Sequence, residues 1–203
     1  MSQVATRQQS STAIAALSSL KTGLQNVQST LVVTGGDPYL RLQKDGSWVY
    51  GAENIECNKT DEWAINPLSL MHGWSCWTNY DPKDKKKNEN LGEEMVPAGS
   101  ALPPKHSLPD TDWEWKQQFA LQIKCVKGED EGEQVLYKTT SVGGARAVND
   151  MIKEIMKQVN AGSEAVVPVI HLKSDSYAHV QYGKTYFPVF EIVRWIGLDG
   201  TEQ

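Results

Sequence analysis

The first regular pattern along the chain is a stripe of apolar residues between positions 12 and 31. They recur at steps of three and four, at Ile14, Leu17, Leu20, Leu24, Val27 and Leu31. This spacing puts them on one face of a helix, while serine, threonine, glutamine and lysine occupy the other face. Residues 1–34 are therefore predicted to be an amphipathic helix that follows a flexible, polar N-terminus.

The predicted helix has two alternative roles. Its apolar stripe can lie on the core of the same chain, as surface helices of globular proteins do. Residues Leu20, Leu24, Val27 and Leu31 also keep a heptad step, which favours pairing between helices. The second alternative is therefore a homodimer, or a contact with another protein, through this helix.

Strand-like alternation begins after the Gly-Gly-Asp-Pro break at residues 35–38. Residues 39–43 and 47–50 flank an Asp-Gly pair, an arrangement that predicts a β-hairpin with a tight turn. Residues 119–126 and 134–140 predict a second hairpin around an acidic loop. Both patterns favour an antiparallel sheet.

Helical spacing returns at residues 143–160. The apolar positions of this stretch are Val148, Met151, Ile152, Ile155 and Val159. They form one stripe that is typical of a helix packed on a sheet. Two β-rich runs follow, beginning near Val166 and Tyr186, and a polar loop of residues 173–185 is predicted to join them.

The order of these elements indicates a mainly β chain of the α+β class. Repeated alternation of strand and helix is absent from the pattern, which argues against a doubly wound parallel sheet. A single helix between the third and fourth main strands of a small antiparallel barrel is the layout of the OB-fold. We therefore predict one OB-like domain over residues 35–203, with a charged, proline-containing loop inserted at residues 81–112.

Length and composition narrow the class of protein. The 203 residues are enough for one hydrophobic core, and 39% of them are hydrophobic. The net charge of −5 argues against a non-specific duplex binder but is compatible with a local positive groove. Three cysteines, an odd number, favour free thiols in a reducing compartment. No apolar run has the roughly 18 residues of a membrane span, so we expect a cytoplasmic protein with no membrane partner.

Rings and positive charges lie closest together near the carboxyl end of the chain. Within ten positions the sequence has Tyr177, His179, Tyr182, Lys184 and Tyr186. Binding of single-stranded nucleic acid needs rings that stack on bases beside cations that neutralise phosphates. The structural alternative is that these rings cap the core and anchor the loop through their hydroxyls. For the set as a whole we favour binding of single-stranded DNA.

Four further residues complete the candidate site. Trp48 and Tyr50 share a face of the first predicted hairpin, so we predict that both stack on bases. Lys138 and Arg146 flank Ser141, a predicted helix start whose free N–H groups favour an anion such as phosphate. Plain capping of the helix by Ser141 is the alternative.

Motifs for catalysis and metal binding are missing from the sequence. It has no Gly-x-Ser-x-Gly, His-Glu-x-x-His or P-loop pattern. His72 and Cys76 are four positions apart, but Cys57, His106 and Cys125 stand alone, which is too little for a zinc site. We therefore expect a binding protein rather than an enzyme, with no metal and no cofactor.

The closing segment, residues 182–195, reads Tyr-Gly-Lys-Thr-Tyr-Phe-Pro-Val-Phe-Glu-Ile-Val-Arg-Trp. It is similar to the terminal strand pair of phage single-stranded DNA-binding proteins, and residues 35–195 as a whole resemble a tailed-phage protein of this size. The resemblance implies an OB-fold core, a role in DNA replication or recombination, and single-stranded DNA and replication proteins as partners. One departure is residues 197–203, where such proteins carry a long acidic tail.

A second hypothesis, of a different class, is a protein-binding module that sequesters a host or replication factor. Such a module would use the N-terminal helix and exposed tryptophans as anchors. Deletion of residues 1–31 separates the two hypotheses, because it would abolish capture of the factor and leave oligonucleotide binding largely intact.

Overall fold

A computed structural model describes residues 36–78, 89–181 and 183–201. Within these ranges the chain forms ten strands and one α-helix, α1 (Val142–Asn160). The strands are β1 (Tyr39–Leu42), β2 (Trp48–Tyr50), β3 (Ile55–Glu56), β4 (Glu62–Ile65), β5 (Met71–Trp77), β6 (Asn90–Pro97), β7 (Trp115–Lys127), β8 (Gln134–Thr139), β9 (Ala165–His179) and β10 (Gly183–Gly197). The predicted N-terminal helix lies outside the described residues.

The strands pair into one curled sheet with the shape of a half-barrel. Its main path runs β10-β9-β4-β7-β8-β1-β2-β3, and β5 and β6 branch from β7. Strands β1 and β8 run parallel, with Leu40 opposite Tyr137, and the other recorded pairs are antiparallel. The predicted mainly β class with one inserted helix is confirmed.

Strand β7 holds the sheet together because it pairs with two partners along one edge. Its first half pairs with β5, its second half pairs with β4, and β8 occupies the opposite edge. Between β4 and β5 the chain makes a short 3-10 turn at Pro67–Ser69, capped by a hydrogen bond from the Leu68 amide to the Asn66 side chain at 3.0 Å. Strands β4 and β5 therefore follow one another along the same edge of β7.

The hydrophobic core lies between the inner face of the sheet and α1. Alternate residues of β7, namely Leu121, Ile123 and Cys125, are fully buried on the inner face. Val148 and Met151 come from one stripe of the helix and pack into the same cluster. The alternation of buried residues in β7 and the single buried stripe of α1 are the patterns that the sequence predicts for the second hairpin and for the helix.

Helix α1 begins where the sequence predicts a cap. The Ser141 hydroxyl accepts a hydrogen bond from the Gly144 N–H at 3.0 Å. Both glycines at this helix start allow close packing. A β-carbon at Gly143 would lie 2.8 Å from Phe187 Cβ. At Gly144 it would lie 2.0 Å from Thr139 Oγ1. The structure therefore accounts for this segment as a capped and tightly packed helix start.

The last two strands are longer than predicted. They pair continuously from His179 opposite Gly183 to Ala165 opposite Gly197, with register shifts only near residue 193 and at the end of the ladder. The predicted loop of residues 173–185 is wrong, because only residues 180–182 separate β9 from β10. Because residues 173–179 and 183–185 are paired strand residues and not a loop, the side of the sheet on which each of their side chains lies is fixed.

The insertion predicted at residues 81–112 has structure of its own. It contributes β6, which pairs with β5. The segment after β6 crosses back over this pair and is anchored by two tryptophans. Trp74 Nε1 donates to the Pro103 carbonyl oxygen at 2.7 Å. Trp115 Nε1 donates to the Pro109 carbonyl oxygen at 3.0 Å. The described part of the insertion is thus a strand followed by an anchored connection.

The chain divides into two units, residues 1–36 and residues 37–203, and the fold above belongs to the second. In the part of the chain that the structure describes, α1 does not combine the length and the apolar character that a helix needs to cross a bilayer.

Candidate nucleic-acid interface

Trp48 and Tyr50 lie in the core, so the prediction that their rings are open for stacking is wrong. Only 4% of Trp48 and 6% of Tyr50 is exposed. The Trp48 ring packs against Tyr137 and Phe190 at centroid distances of 5.8 and 6.0 Å. Its Nε1 donates to the Lys173 carbonyl oxygen at 2.9 Å. The face that the two rings share is therefore the inner face of β2.

The Tyr50 hydroxyl also has its partner inside the protein. It donates to Asp130 Oδ1 at 2.9 Å, which ties the acidic β7–β8 loop to the sheet. Burial, together with the hydrogen bond and the charge of Asp130, raises the pKa of Tyr50 well above its ordinary value. For this residue the structural alternative holds, since the ring fills the core and its hydroxyl anchors a loop.

Tyr177 and His179 share the outer face of the β9–β10 hairpin. Residues opposite one another in an antiparallel ladder lie on the same side, so Thr185, opposite Tyr177, and Phe187, two positions further, share this face. Tyr177 is 50% exposed. Its ring centroid lies 6.1 Å from that of His179 and 6.2 Å from that of Phe187. These three rings form a cluster in which Tyr177 is exposed and the other two rings are half-buried.

Lys184 and Tyr186 lie on the opposite face of the hairpin, which continues into the core through Leu172 and Phe190. The Lys184 ammonium lies 4.7 Å from the centroid of the Tyr186 ring. The β1–β2 turn covers this ring, because a β-carbon at Gly46 would lie 2.5 Å from it. The structure therefore separates the predicted cluster into an outer set and an inner set.

Arg146 belongs to the helix start rather than to the hairpin. It is exposed and lies three positions after Gly143, so the two share a side of α1. Gly143 lies close to Phe187, which brings this side of the helix to β10. Part of the N–H capacity at the helix start is used by Ser141. The remaining predicted residue, Tyr182, lies outside the described residues.

Lys138 lies in a groove on the outer face of the sheet, where β1, β8 and the β5–β6 pair meet. The groove has a volume of about 350 Å³ and is lined in part by Tyr39, Trp77 and Lys138. Tyr39 is 51% exposed and Trp77 is 44% exposed. The Lys138 ammonium lies 5.6 Å from the centroid of the Tyr39 ring. The groove thus joins open rings to a cation, as binding of single strands requires.

The Lys138 ammonium is paired with Glu93. Lys138 Nζ lies 2.7 Å from Glu93 Oε2, and Gln118 Nε2 donates to Glu93 Oε1 at 2.7 Å. Partial burial raises the pKa of the Glu93 carboxyl, but the hydrogen bonds from Lys138 and Gln118 outweigh burial and hold the pKa below its ordinary value. Glu93 is therefore ionised at neutral pH.

Arg41 supplies a second cation to the groove lining. Its Nη2 donates to the Gly51 carbonyl oxygen and to Asn54 Oδ1, the second at 3.0 Å. These bonds hold the guanidinium beside the turn that follows β2. Among the lining residues that the structure describes, two cations, Arg41 and Lys138, and one carboxylate, Glu93, leave one positive charge in excess.

Most residues of the groove are not predicted by the sequence. The missed residues are Tyr39, Arg41, Trp77, Glu93 and Gln118. The alternation in β8 does indicate the outer face of the sheet, because Lys138 follows the buried Tyr137 and therefore points outward. The parallel pairing of β1 with β8 is what brings these residues together, and no local pattern predicts that pairing.

Among residues 36–78, 89–181 and 183–201, no three His, Cys, Asp or Glu side chains are grouped in a way that could hold a metal ion. Cys57, Cys76 and Cys125 are buried free thiols.

No protein-family model, curated protein or solved structure matches the chain.

Proposed function

We propose that this protein binds single-stranded DNA on the outer face of its sheet. The observation that carries the proposal is the groove in which Lys138 lies beside the open rings of Tyr39 and Trp77. Each stacked base contributes about 1 to 3 kcal/mol in complexes of this kind, with little dependence on sequence. Tyr177 and His179 lie together on the outer side of the β9–β10 hairpin, and we propose that they add rings to the binding surface.

The order and pairing of the strands support an OB-like barrel. A meander is formed by β4 and β5, which act together as its first strand, followed by β7 and β8. Helix α1 comes next in the chain, and strand β9 of the last hairpin then pairs with β4. In the OB-fold, the face of the second and third strands and the loops after the first and fourth strands bind oligonucleotides. The corresponding face here is that of β7 and β8, which carries Lys138, and the corresponding loop is the tip of the β9–β10 hairpin.

One strand pair differs from a simple five-stranded barrel. Strand β1 lies parallel to β8, and the Ser174 hydroxyl of β9 donates to the Gly46 carbonyl oxygen at 2.7 Å. The β1–β2 hairpin therefore occupies the gap between β8 and the last hairpin. As a result, Tyr39 and Arg41 lie on the same face as Lys138 and add a ring and a cation to it.

The proposed role is that of a phage-type single-stranded DNA-binding protein, acting in replication or recombination in the cytoplasm of the host cell. It rests on the resemblance of residues 35–195 to such proteins. Coating of exposed strands needs stacking that accepts every base, with at most a modest preference among them, together with a few phosphate contacts. Replication proteins would be further partners, and the predicted helix within residues 12–31 would mediate contact between copies.

Quenching of tryptophan fluorescence by an oligo-dT strand of about 12 nucleotides tests the proposal. Trp77 is 44% exposed in the groove, so a base stacked on it would quench its emission. Affinity should fall between about 50 and 200 mM salt, with a shallow slope because few phosphates are contacted. Absence of any binding at the lower salt concentration would contradict the proposal.

Two lysine variants make the test specific to the groove. Lys138→Gln removes one of the two described groove cations and should weaken binding of oligo-dT several-fold. Lys153→Gln is the matched control, because Lys153 lies on α1, pairs with Asp150 at 2.7 Å and is not part of the groove lining. Both changes remove one positive charge from the chain. Equal affinities of the two variants would argue against the groove as the binding site.

A protein-binding module remains the second candidate function. The observation that favours it is a group of exposed apolar side chains on or beside the β5–β6 pair: Trp77, Leu91 and Trp113, with 44%, 47% and 37% exposed. Tryptophans of this kind anchor protein interfaces. Under this alternative, deletion of residues 1–31 abolishes capture of the partner. Under the DNA-binding proposal, the same deletion leaves oligonucleotide affinity largely unchanged.

A further inference from the structure

The groove contains a carboxylate that a simple phosphate track would not need. The side chains of Lys138 and Glu93 are 24% and 29% exposed and lie 2.7 Å apart at their charged atoms. A carboxylate repels phosphate and cancels the attraction of the cation beside it. Glu93 is therefore better suited to a ligand group that donates hydrogen bonds than to the DNA backbone.

The Glu93 carboxylate is held in a defined orientation. Gln118 is only 3% exposed, donates to Oε1 at 2.7 Å, and its Nε2 also lies 3.6 Å from Met95 Sδ. Lys138 donates to Oε2 at 2.7 Å. An ionised carboxylate accepts about four hydrogen bonds, and an ammonium group has further N–H donors. Both oxygens and the ammonium therefore keep capacity for a ligand.

The Watson–Crick edge of guanine matches this arrangement. It presents two neighbouring donors, N1–H and the N2 amino group, beside one acceptor, O6. Two parallel hydrogen bonds to a carboxylate are strong and directional. The Lys138 ammonium is then beside O6 as its donor. We infer that the groove reads a guanine base of single-stranded DNA, stacked on the rings of Tyr39 and Trp77 and recognised by Glu93 and Lys138. This inference deepens the proposed function and rests on it.

The other three bases fit the groove less well. Thymine has one N–H between two carbonyl oxygens, and these oxygens would face the Glu93 carboxylate. Adenine and cytosine each present one amino group beside a ring nitrogen that only accepts, so a single hydrogen bond to Glu93 forms. The volume of about 350 Å³ is at the lower end for ligand pockets, which suits one base rather than a longer segment.

The inference is tested with oligo-dT strands of about 12 nucleotides that carry one central guanine, adenine, cytosine or hypoxanthine. Hypoxanthine keeps O6 and N1–H but lacks the N2 amino group. The guanine strand should bind at least about fivefold more tightly than oligo-dT, and the hypoxanthine strand should lie between them. Equal affinity for all strands would overturn the inference and leave the proposed function standing. Failure of every strand to bind would overturn both.

Glu93→Gln and Glu94→Gln form a matched pair of variants. Glu94 is the next residue on β6, so its side chain lies on the opposite side of the strand. Glu93→Gln should remove the preference for the guanine strand over oligo-dT, whereas Glu94→Gln should keep that preference. A folded Glu93→Gln protein that still prefers guanine would overturn the inference. The hypoxanthine comparison uses the unaltered protein, so it decides the question even if Glu93→Gln does not fold.

Discussion

The ring of Tyr186 lies so close to Gly46 that a β-carbon at residue 46 would come within 2.5 Å of its Cδ1 and Cε1 atoms. Gly46 also has a φ of +89°, in the region that glycine adopts far more easily than other residues. The position therefore needs glycine for two independent reasons. Because Ser174 also donates to the Gly46 carbonyl oxygen, this turn fastens the first hairpin to the last.

Gly46→Ala should lower the free energy of unfolding by about 2 to 4 kcal/mol, since backbone strain and steric overlap with Tyr186 add together. Gly132→Ala is the matched control. Its φ is +97° and nothing lies within 4 Å of the added β-carbon, so strain alone should cost about 1 to 2 kcal/mol. Urea unfolding followed by circular dichroism measures both. Equal losses would show that Tyr186 moves aside without cost.

Local sequence predicts the types of the main elements but not the length of the last hairpin. The alternation in β7 and β8 and the stripe of α1 each result from burial of one face, and the Asp-Gly turn results from the positive φ that Gly46 adopts. Residues 173–179 of β9 are polar or exposed on both faces, because this end of the hairpin extends past the core. Without a buried face there is no alternation to detect, so these strand residues resemble a loop.

Residues of the candidate site could be predicted only in strands where buried and exposed positions alternate, because this alternation shows which side chains face outward. Lys138 alternates with buried residues, so its outward direction is readable. All three residues of β2 are buried, so parity could not show that Trp48 and Tyr50 face inward. The contact of Lys138 with Tyr39 depends on the parallel pairing of β1 with β8, which joins segments distant in sequence and has no local signal.

Trp48→Phe should destabilise the protein by about 2 kcal/mol. The smaller ring leaves a cavity and deprives the Lys173 carbonyl oxygen of its donor. Oligonucleotide affinity of the folded variant should be unchanged. Tyr177→Phe is the control, since its ring is 50% exposed and the change should stay within about 0.5 kcal/mol in urea unfolding. A Trp48→Phe protein that kept its stability and lost oligonucleotide affinity would show that Trp48 contributes to binding.

Glu62 connects two cations across the sheet. Glu62 Oε1 lies 2.8 Å from Lys127 Nζ, and Glu62 Oε2 lies 2.7 Å from Arg194 Nε. The hydrogen bonds from Lys127 and then Arg194 lower the pKa of Glu62 below the ordinary value of 4.5. A carboxyl whose pKa is lower in the folded state stabilises the protein above its unfolded pKa, and this stabilisation is lost as the pH falls through the folded pKa.

Glu62→Gln should therefore be less stable than the wild type at neutral pH, by about 1 to 2 kcal/mol. The difference should shrink below about pH 4 as the wild-type carboxyl becomes protonated. Urea unfolding at both pH values measures it. Glu191→Gln is the control, because Glu191 is 53% exposed and its partners lie at 3.4 and 3.9 Å. A difference for Glu62→Gln that does not depend on pH would rule out the ion pairs as its cause.

The cysteines should be unreactive in the native protein. Burial raises the pKa of the Cys57 thiol to about 12 and that of Cys125 to about 11, so both stay protonated near pH 8. Cys76 is also completely buried. We expect no fast reaction with a thiol reagent such as DTNB before unfolding, and all three cysteines to react in urea. Rapid labelling of a native thiol would show that the region of β2 and β3, of β5 or of β7 opens.

The two faces of the β9–β10 hairpin should contribute unequally to DNA binding. Tyr177 lies on the outer face beside His179, whereas Lys184 lies on the inner face over Tyr186. Tyr177→Ala should weaken binding of oligo-dT at least about fivefold, the value of one stacked base, and Lys184→Gln should leave affinity nearly unchanged. Both residues lie near the exposed tip, so neither change should alter stability much. Fluorescence titration of both variants decides the matter. The reverse result, a loss in Lys184→Gln alone, would put the strand on the inner side of the hairpin and separate it from the Lys138 groove.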